Sequence, residues 1–143
     1  MQISQKAEYA VRAVLDLALY AAPERGERSA DIARRTGVPE KFLQAILLDL
    51  RKSGFVVSKR GPSGGNWLAL SPAHITVGAV VRAIDRNRGP APAPSGRSAA
   101  PAEICLCALW RRVEETVHDA LDRVTLEELL VSVGPQGAYD YSI

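Results

Sequence analysis

The chain has 143 residues and few of the features that mark the specialised protein classes. It contains two cysteines, Cys105 and Cys107, which are too few for a disulfide scaffold and too close for an easy mutual bridge. No apolar run approaches the roughly 20 residues of a membrane helix. The first residues also lack the apolar core and cleavage site of a signal peptide. We therefore expect a protein located in the cytoplasm.

The composition is that of an ordinary globular protein. Apolar residues make up 47% of the chain and charged residues 24%, which excludes collagen-like, coiled-coil-only and wholly disordered chains. The net charge of +2 conceals an asymmetry, because residues 1–100 carry 15 Lys or Arg and 8 Asp or Glu, whereas residues 101–143 carry 3 and 8. The first part thus has a charge of +7 and the second −5. A basic front indicates binding to a polyanion, although charge also varies along chains without function.

Three amphipathic helices are predicted in the first 54 residues. Ser4 caps the first, Ser29 caps the second, which Gly37 closes, and Pro39 lies in the first turn of the third, which Gly54 ends. The apolar face of the first helix is Ala7, Val11, Val14, Leu15, Ala18 and Leu19. The stripe of the third is Phe42, Leu43, Ile46, Leu47 and Leu50. This order is typical of a helix-turn-helix, although other three-helix bundles also show it.

A β-hairpin is predicted directly after the third helix. Residues 55–60 and 66–70 are rich in strand formers, and the glycine-rich residues 61–65 separate them. A hairpin in this position is a wing. Small residues let the backbone approach a phosphate, and an arginine can enter a narrow minor groove. We prefer the wing to an ordinary hairpin because Arg51, Lys52, Lys59 and Arg60 cluster beside the helix-turn-helix.

The second half is predicted to be helical after a linker. Thr76 caps a fourth helix, a Pro/Ala/Gly-rich linker follows at 86–102, and a long fifth helix spans about 103–124. The apolar stripe of the fifth helix is Leu109, Val113, Val117, Ala120, Leu121 and Val124. It is expected to pair with a second copy of the chain, to pack on the first helix of its own chain, or both. Thr125 and Glu128 indicate a capping box for a short last helix.

The predicted organisation is therefore mainly α with a small β-hairpin wing. Residues 1–85 form a winged helix-turn-helix DNA-binding domain, and residues 86–102 a flexible linker. Residues 103–133 form a dimerisation helix and a short C-terminal helix, followed by a loose tail at 134–143.

Several motifs together resemble the Rrf2 family of winged helix-turn-helix transcriptional regulators. The most specific is the wing motif Arg60-Gly61-Pro62-Ser63-Gly64-Gly65. The others lie at residues 6–13, 31–33, 42–47, 50–54, 75–78, 108–110 and 124–126, so the resemblance spans most of the chain. It implies a homodimeric regulator of operator DNA, a repressor or a dual regulator, with a crossed long helix for dimerisation.

The resemblance also implies a set of DNA-binding residues. A dimer presents two recognition helices roughly 34–36 Å apart and reads a near-palindrome. Gln44 is expected to bond adenine and Lys41 to reach guanine or a phosphate. Arg60 is expected in the minor groove beside the backbone of Ser63 and Gly64. Arg51 and Lys59 are expected at phosphates. The complete set is Ser29, Pro39, Glu40, Lys41, Gln44, Arg51, Lys59, Arg60, Ser63 and Gly64.

The signal that controls the protein is left open. Members of the family often sense through an iron–sulfur cluster, with three cysteines before the long helix and a fourth ligand elsewhere. Here only Cys105 and Cys107 occur, with Glu8 or a partner-chain residue as a further candidate ligand. The pair is alternatively a thiol redox sensor near a helix N-terminus or an apolar filler at a dimer seam. Residues two apart on a helix point about 200° apart, so shared ligation needs the helix to begin after Cys107.

Other function classes have weaker support. His74 and His118 are expected at the surface and in solvent, and no catalytic triad, paired carboxylate site or phosphate loop is evident. We therefore expect no enzyme. The expected function is a DNA-binding regulator under redox, iron–sulfur or small-molecule control, without a membrane partner. The alternative is a cluster-free regulator or interaction module controlled by a protein partner, which would dock on the long helix and the acidic second half.

Overall fold

Helices and one β-hairpin make up the computed structural model, which describes residues 3–86 and 93–133. The predicted mainly α fold with a small wing is confirmed. The elements are α1 (Gln5–Tyr20), α2 (Ser29–Thr36), α3 (Glu40–Lys52), β1 (Val56–Lys59), β2 (Gly65–Leu68), a 3₁₀ turn (Pro72–His74), α4 (Val77–Asp85), α5 (Pro101–Asp122) and α6 (Leu126–Val133). Among these residues, no helix has the length and apolar character to cross a membrane. Residues 87–92 of the predicted linker and the predicted tail at 134–143 lie outside the described residues.

Helix α1 is the centre of the fold, and it contacts α2, α3, α4, α6 and β2. The hydroxyl of Ser4 accepts a hydrogen bond from the amide of Ala7 at 3.0 Å, which confirms the predicted cap. The predicted apolar face was wrong in part, because Leu19 is exposed. The buried face is instead Ala7, Ala10, Ala13, Val14 and Leu17. Elements on several sides cover the small alanines, so packing rather than side-chain size selects the buried face.

The starts of α2 and α3 differ by one residue from the prediction. Arg28 occupies the N-cap of α2, and Ser29 is its first helical residue without a side-chain cap bond. Pro39 likewise stands at the N-cap of α3 rather than in its first turn. Gly37 closes α2 in the left-handed conformation with φ of 75°. Phe42 was predicted in the core but is 62% exposed, because it lies at the edge of the buried row that continues to Leu43, Ile46, Leu47 and Leu50.

The hairpin pairs antiparallel, with Val56 opposite Leu68 and Lys59 opposite Gly65. This register confirms the predicted hairpin. Only Val56 of β1 is buried, so the first strand is attached to the core at its base and exposed toward its end.

Helix α5 begins at Pro101, two residues earlier than predicted, and ends at Asp122. The chain then returns to the start of α4, where the amide of Val77 donates to the carbonyl of Val124 at 2.8 Å. Helix α5 packs on α4 rather than on α1, so the predicted own-chain neighbour was wrong. Helix α6 reaches α1 instead and contributes the fully buried Leu126. The hydroxyl of Thr125 accepts from the amide of Glu128, as expected for a cap.

One buried ion network joins α1, α2 and the segment before α2. The guanidinium of Arg35 donates to both carboxylate oxygens of Asp16, at 2.9 and 2.7 Å, and to Glu27 at 2.8 Å. Its carbon lies 4.3 Å from the ring centroid of Tyr20. Asp16 is only 5% exposed, so its charge depends on this partner. The hydrogen bond to Asp16 raises the pKa of Arg35 above its usual value, which keeps the guanidinium charged.

We expect Arg35→Ala to lower the free energy of unfolding by about 3 kcal/mol, because it leaves the buried Asp16 carboxylate without a partner. Urea denaturation measures this change. The matched control is Arg34→Ala, which removes an exposed ion pair to Asp31 and is expected to cost less than about 0.5 kcal/mol. Equal losses in the two variants would contradict a structural role for the buried pair.

Candidate nucleic-acid interface and sensor segment

Helix α3 presents an outward face opposite its buried row. Lys41 and Gln44, both predicted to contact DNA, are exposed on this face, and Pro39 and Glu40 are exposed at its start. Ser29 is partly buried at the first residue of α2. Sequence reasoning assigned no DNA contact to Phe42, Ala45 and Leu48, which are also exposed. It named the exposed Lys52 only as a member of the basic cluster. The spacing of Lys41, Ala45, Leu48 and Lys52 by four, three and four residues is the signal that identifies this face.

The wing carries two exposed cations at the end of its first strand. Lys59 ends β1, Arg60 follows it, and Ser63 lies in the exposed turn. Gly64 is buried, and its amide donates to the carbonyl of Gly61 at 2.9 Å. The amide of Gly64 is therefore used within the turn, which leaves the side chains of Lys59, Arg60 and Ser63 as the polar groups that the wing presents.

Positive charge without a compensating carboxylate is concentrated on α3 and the wing. Within residues 3–86 and 93–133, no hydrogen bond or ion pair engages the side chains of Lys41, Arg51, Lys52, Lys59 or Arg60. Cations elsewhere in the domain are neutralised, for example Lys6 by Asp49 at 2.5 Å and Arg12 by Glu8 at 2.7 Å. Because α3 contacts β1, the five free cations lie on or next to two neighbouring elements of the domain. Such a surface suits the phosphate backbone of a nucleic acid.

Both cysteines lie inside α5, because that helix begins at Pro101. Cys105 is exposed and Cys107 partly buried, and positions two apart on a helix point about 200° apart. Glu8 is on α1 and forms an ion pair with Arg12. Within the part of the chain that the structure describes, no three His, Cys, Asp or Glu residues are placed to hold a metal. The donor set of a single chain therefore does not fit an iron–sulfur cluster.

Hydrogen bonds within the chain attach Ser95, in the described part of the predicted linker, to α5. The amide and hydroxyl of Ser95 donate to the two carboxylate oxygens of Glu103, at 2.8 and 3.0 Å. Glu103 lies in the first turn of α5, where a carboxylate also suits the helix dipole. The segment before α5 is therefore positioned by hydrogen bonds within the chain.

The two histidines differ in their surroundings. His74 is exposed, as expected, and its Nδ1 lies 3.1 Å from the hydroxyl of Ser71. The prediction for His118 was wrong, because the side chain is partly buried and its Nδ1 is buried without a hydrogen-bond partner among the described residues. The adjoining cavity between α4 and α5 is lined by Arg82, Arg111, Glu114, Glu115, His118 and Asp119.

Helix α5 presents an apolar face that the described part of the chain leaves uncovered. Leu109 and Val113, both predicted to form a dimer contact, are exposed, as are Leu106 and Trp110 beside them. Val117 is partly buried. Leu121 and Val124, the last residues of the predicted stripe, pack partly against the core of their own chain. The uncovered face thus lies in the first three-quarters of the helix.

The helix-turn-helix, its hairpin and the free cations on both define a winged-helix nucleic-acid-binding protein. A family model for Rrf2, described as an iron-dependent transcriptional regulator, matches residues 3–132. The chain belongs to the Rrf2 family of transcriptional regulators. The predicted family is therefore confirmed, and the protein is a DNA-binding regulator rather than an enzyme.

Named relatives agree with this assignment. The HTH-type transcriptional regulator IscR of Erwinia tasmaniensis is 37% identical over 131 residues, which cover 91% of this chain and 79% of the relative. An rrf2-like HTH-type regulator of Rhodobacter capsulatus is 37% identical over 142 residues, covering 93% of this chain and 95% of the relative.

Solved structures show the same fold. The IscR structure from T. potens matches with a TM-score of 0.74 at 30% identity, over 93% of this chain and 88% of that one. CymR, the global cysteine regulator of B. subtilis, matches with a TM-score of 0.72 at 31% identity, over 92% of this chain and 97% of that one.

The position of both cysteines inside α5 predicts how they respond to oxidation. We expect a thiol oxidant such as diamide to form no disulfide between Cys105 and Cys107 of one chain, because their side chains point apart on α5. Intact-mass spectrometry of the oxidised, denatured and alkylated protein measures this. A monomeric chain that has lost two hydrogens and resists alkylation at both residues would show that the start of α5 unwinds.

Proposed function

We propose that the protein acts as a homodimer that binds near-palindromic operator DNA and functions as a repressor or dual regulator. The free cations on α3 and the wing carry this proposal, because they lie on neighbouring elements of a domain whose other cations are largely neutralised. Residues 1–85 are the proposed DNA-binding domain, and residues 103–133 the dimerisation region. Because the proposed partner is DNA, we propose that the protein acts in the cytoplasm.

The proposed contacts divide between the two grooves and the backbone. On α3, Gln44 bonds adenine in the major groove, and Lys41 reaches guanine or a phosphate. Arg60 enters the minor groove beside Ser63. Arg51 and Lys59 neutralise phosphates. Residues at the helix starts and in the wing turn shape the protein surface that approaches the DNA backbone. They are Ser29, Pro39, Glu40 and Gly64.

The exposed apolar residues of α3 add a second kind of readout. Ala45 and Leu48 lie between Lys41 and Lys52 on the outward face, where polar side chains would be expected on a solvated helix. The methyl group of thymine is the apolar feature of the major groove. Operator positions opposite the middle of α3 are therefore proposed to be A·T pairs.

The proposed dimer contact is the apolar face of α5. Exposed leucine, tryptophan and valine side chains in a row favour removal from water by a second copy of the same helix. The proposed contact residues are Leu109, Val113 and Val117, with Leu121 and Val124 continuing the stripe into the chain's own core. A two-fold pairing of α5 would relate the two α3 helices by the same axis, which matches the symmetry of a near-palindromic operator.

Control is proposed to act through the segment before α5 and the start of that helix. The partly buried Cys107, the exposed Cys105 and the Ser95–Glu103 hydrogen bonds lie together there. A redox or small-molecule signal fits this segment better than an iron–sulfur cluster, whose ligands are not assembled among residues 3–86 and 93–133 of one chain. The alternative is a protein partner that binds the acidic second half, and DNA binding that changes only when such a partner is added would favour it.

We expect Arg60→Ala to weaken binding to all DNA sequences and to reduce the slope of log affinity against log salt by about 1. Gln44→Ala is expected to relax specificity at one base pair per half-site by about 1–3 kcal/mol. Fluorescence anisotropy with a selected operator and its single-base variants measures both effects at several salt concentrations. Arg123→Ala on the opposite half of the chain is the control. Unchanged affinity and specificity in both test variants would reject the proposed interface.

We expect the protein to sediment at twice its chain mass of 15.4 kDa. Val113→Lys places a charge in the middle of the apolar face and is expected to shift the protein toward the monomer. Ala108→Lys is the matched control, because Ala108 is exposed on the other side of α5. Analytical ultracentrifugation over a range of concentrations measures the change. A Val113→Lys protein that remains as dimeric as the control would place the interface elsewhere.

A further inference from the structure

The segment from Gly26 to Arg28 runs alongside the second strand of the wing at very short range. A Cβ atom on Gly26 would lie 2.8 Å from the amide nitrogen of Asn66, and a Cβ on Gly65 would lie equally close to the amide of Glu27. Gly65 also has φ of +134°, which side chains rarely adopt. Two glycines therefore allow the segment before α2 to contact β2 directly where that strand leaves the wing turn.

Glu27 forms the next contact and connects the wing to the core. Its amide donates to the carbonyl of Asn66 at 3.0 Å, and its carbonyl accepts from the Asn66 amide and side chain, both at 2.9 Å. Its carboxylate accepts from Arg35 at 2.8 Å. The end of β2 that adjoins the wing turn is thereby fixed to α2.

Arg28 makes the outermost contact of the segment, at the wing turn. Its Nη2 donates to the carbonyl of Gly61 at 3.1 Å and lies 3.5 Å from the carbonyl of Pro62. The backbone of Arg28 is held at the same time, because its carbonyl accepts from the amides of Asp31 and Ile32 as the N-cap of α2. A single residue thus joins the first turn of α2 to the end of the wing.

We propose that Arg28 is a positioning residue for DNA binding, which holds the wing turn at a set distance from the helix-turn-helix. Gly61 directly follows Arg60, so a bond to its carbonyl restricts where the free guanidinium of Arg60 can lie. Without this bond, the segment holds only the start of β2 at Gly65 and Asn66, and the exposed turn itself must lose more conformational freedom on binding. This inference builds on the proposed wing contact of Arg60 with DNA.

The alternative role for the Arg28 side chain is a direct contact with a DNA phosphate. A double-mutant cycle with Arg60 separates this role from the positioning role. We expect Arg28→Ala alone to weaken operator binding about three- to tenfold, the range of one exposed hydrogen bond. When Arg60→Ala is already present, adding Arg28→Ala should reduce the affinity for the operator much less, because the wing has already lost the contact of Arg60 with DNA. The salt slope of Arg28→Ala should match that of the unsubstituted protein, whereas a lost phosphate contact would lower it by about 1.

Amide hydrogen exchange provides a readout that does not depend on DNA. Arg28→Ala should accelerate exchange of the Gly64 amide, with the thermal midpoint and exchange in α1 unchanged. Arg28→Lys, which keeps one charged donor, should restore part of both the affinity and the protection. Arg123→Ala is the charge-matched control and should leave affinity and wing exchange unaltered.

The outcomes distinguish this inference from the proposed function. Loss of affinity in Arg60→Ala without any change in Arg28→Ala would reject the positioning role alone. A loss in Arg28→Ala that adds fully to that of Arg60→Ala and lowers the salt slope would identify Arg28 as a phosphate contact instead. Unchanged affinity in Arg60→Ala would reject the wing contact, and Gly64 exchange would then still decide whether Arg28 fixes the turn.

Discussion

The ion network of Asp16, Arg35 and Glu27 is the constraint on which the DNA-binding domain depends. It joins the central helix to α2 and to the segment that pairs with the wing, using one guanidinium and two carboxylates. A buried carboxylate such as that of Asp16 is tolerated only with a charged, hydrogen-bonded partner. The geometry of Arg35 therefore relates the helix-turn-helix to the wing before any DNA is bound.

Paired and free charges are separated within this domain, and that separation points to its function. Lys6, Arg12, Arg34 and Arg35 have carboxylate partners, whereas the cations of α3 and the wing do not. The uncovered apolar face of α5 is the complementary feature of the second half. A protein that binds DNA as a dimer requires a basic surface for the phosphates and an apolar surface for its second copy. This chain carries the two features in different halves of its sequence.

Local signals in the sequence predicted the caps of α1 and α4 and the hairpin, whereas Ser29 was wrongly predicted to cap α2. Ser4 and Thr76 each accept a hydrogen bond from the first turn of their helix, since capping involves only residues three apart. The hairpin at Val56–Lys59 and Gly65–Leu68 follows equally from strand formers around a glycine-rich turn. The position of Phe42 was wrong, because an apolar residue at the edge of a helix stripe is buried only if a neighbouring element covers it.

By itself, then, the sequence determined the family, the order of elements and the basic character of α3 and the wing, because these depend on residue type and short-range spacing. Only the tertiary structure decided which cations remain free, since each depends on whether a carboxylate from another element reaches it. It also decided that α5 begins at Pro101, so that Cys105 and Cys107 diverge on one helix. The contact from Arg28 to Gly61 spans 33 residues of sequence, and only the folded chain brings those two atoms together.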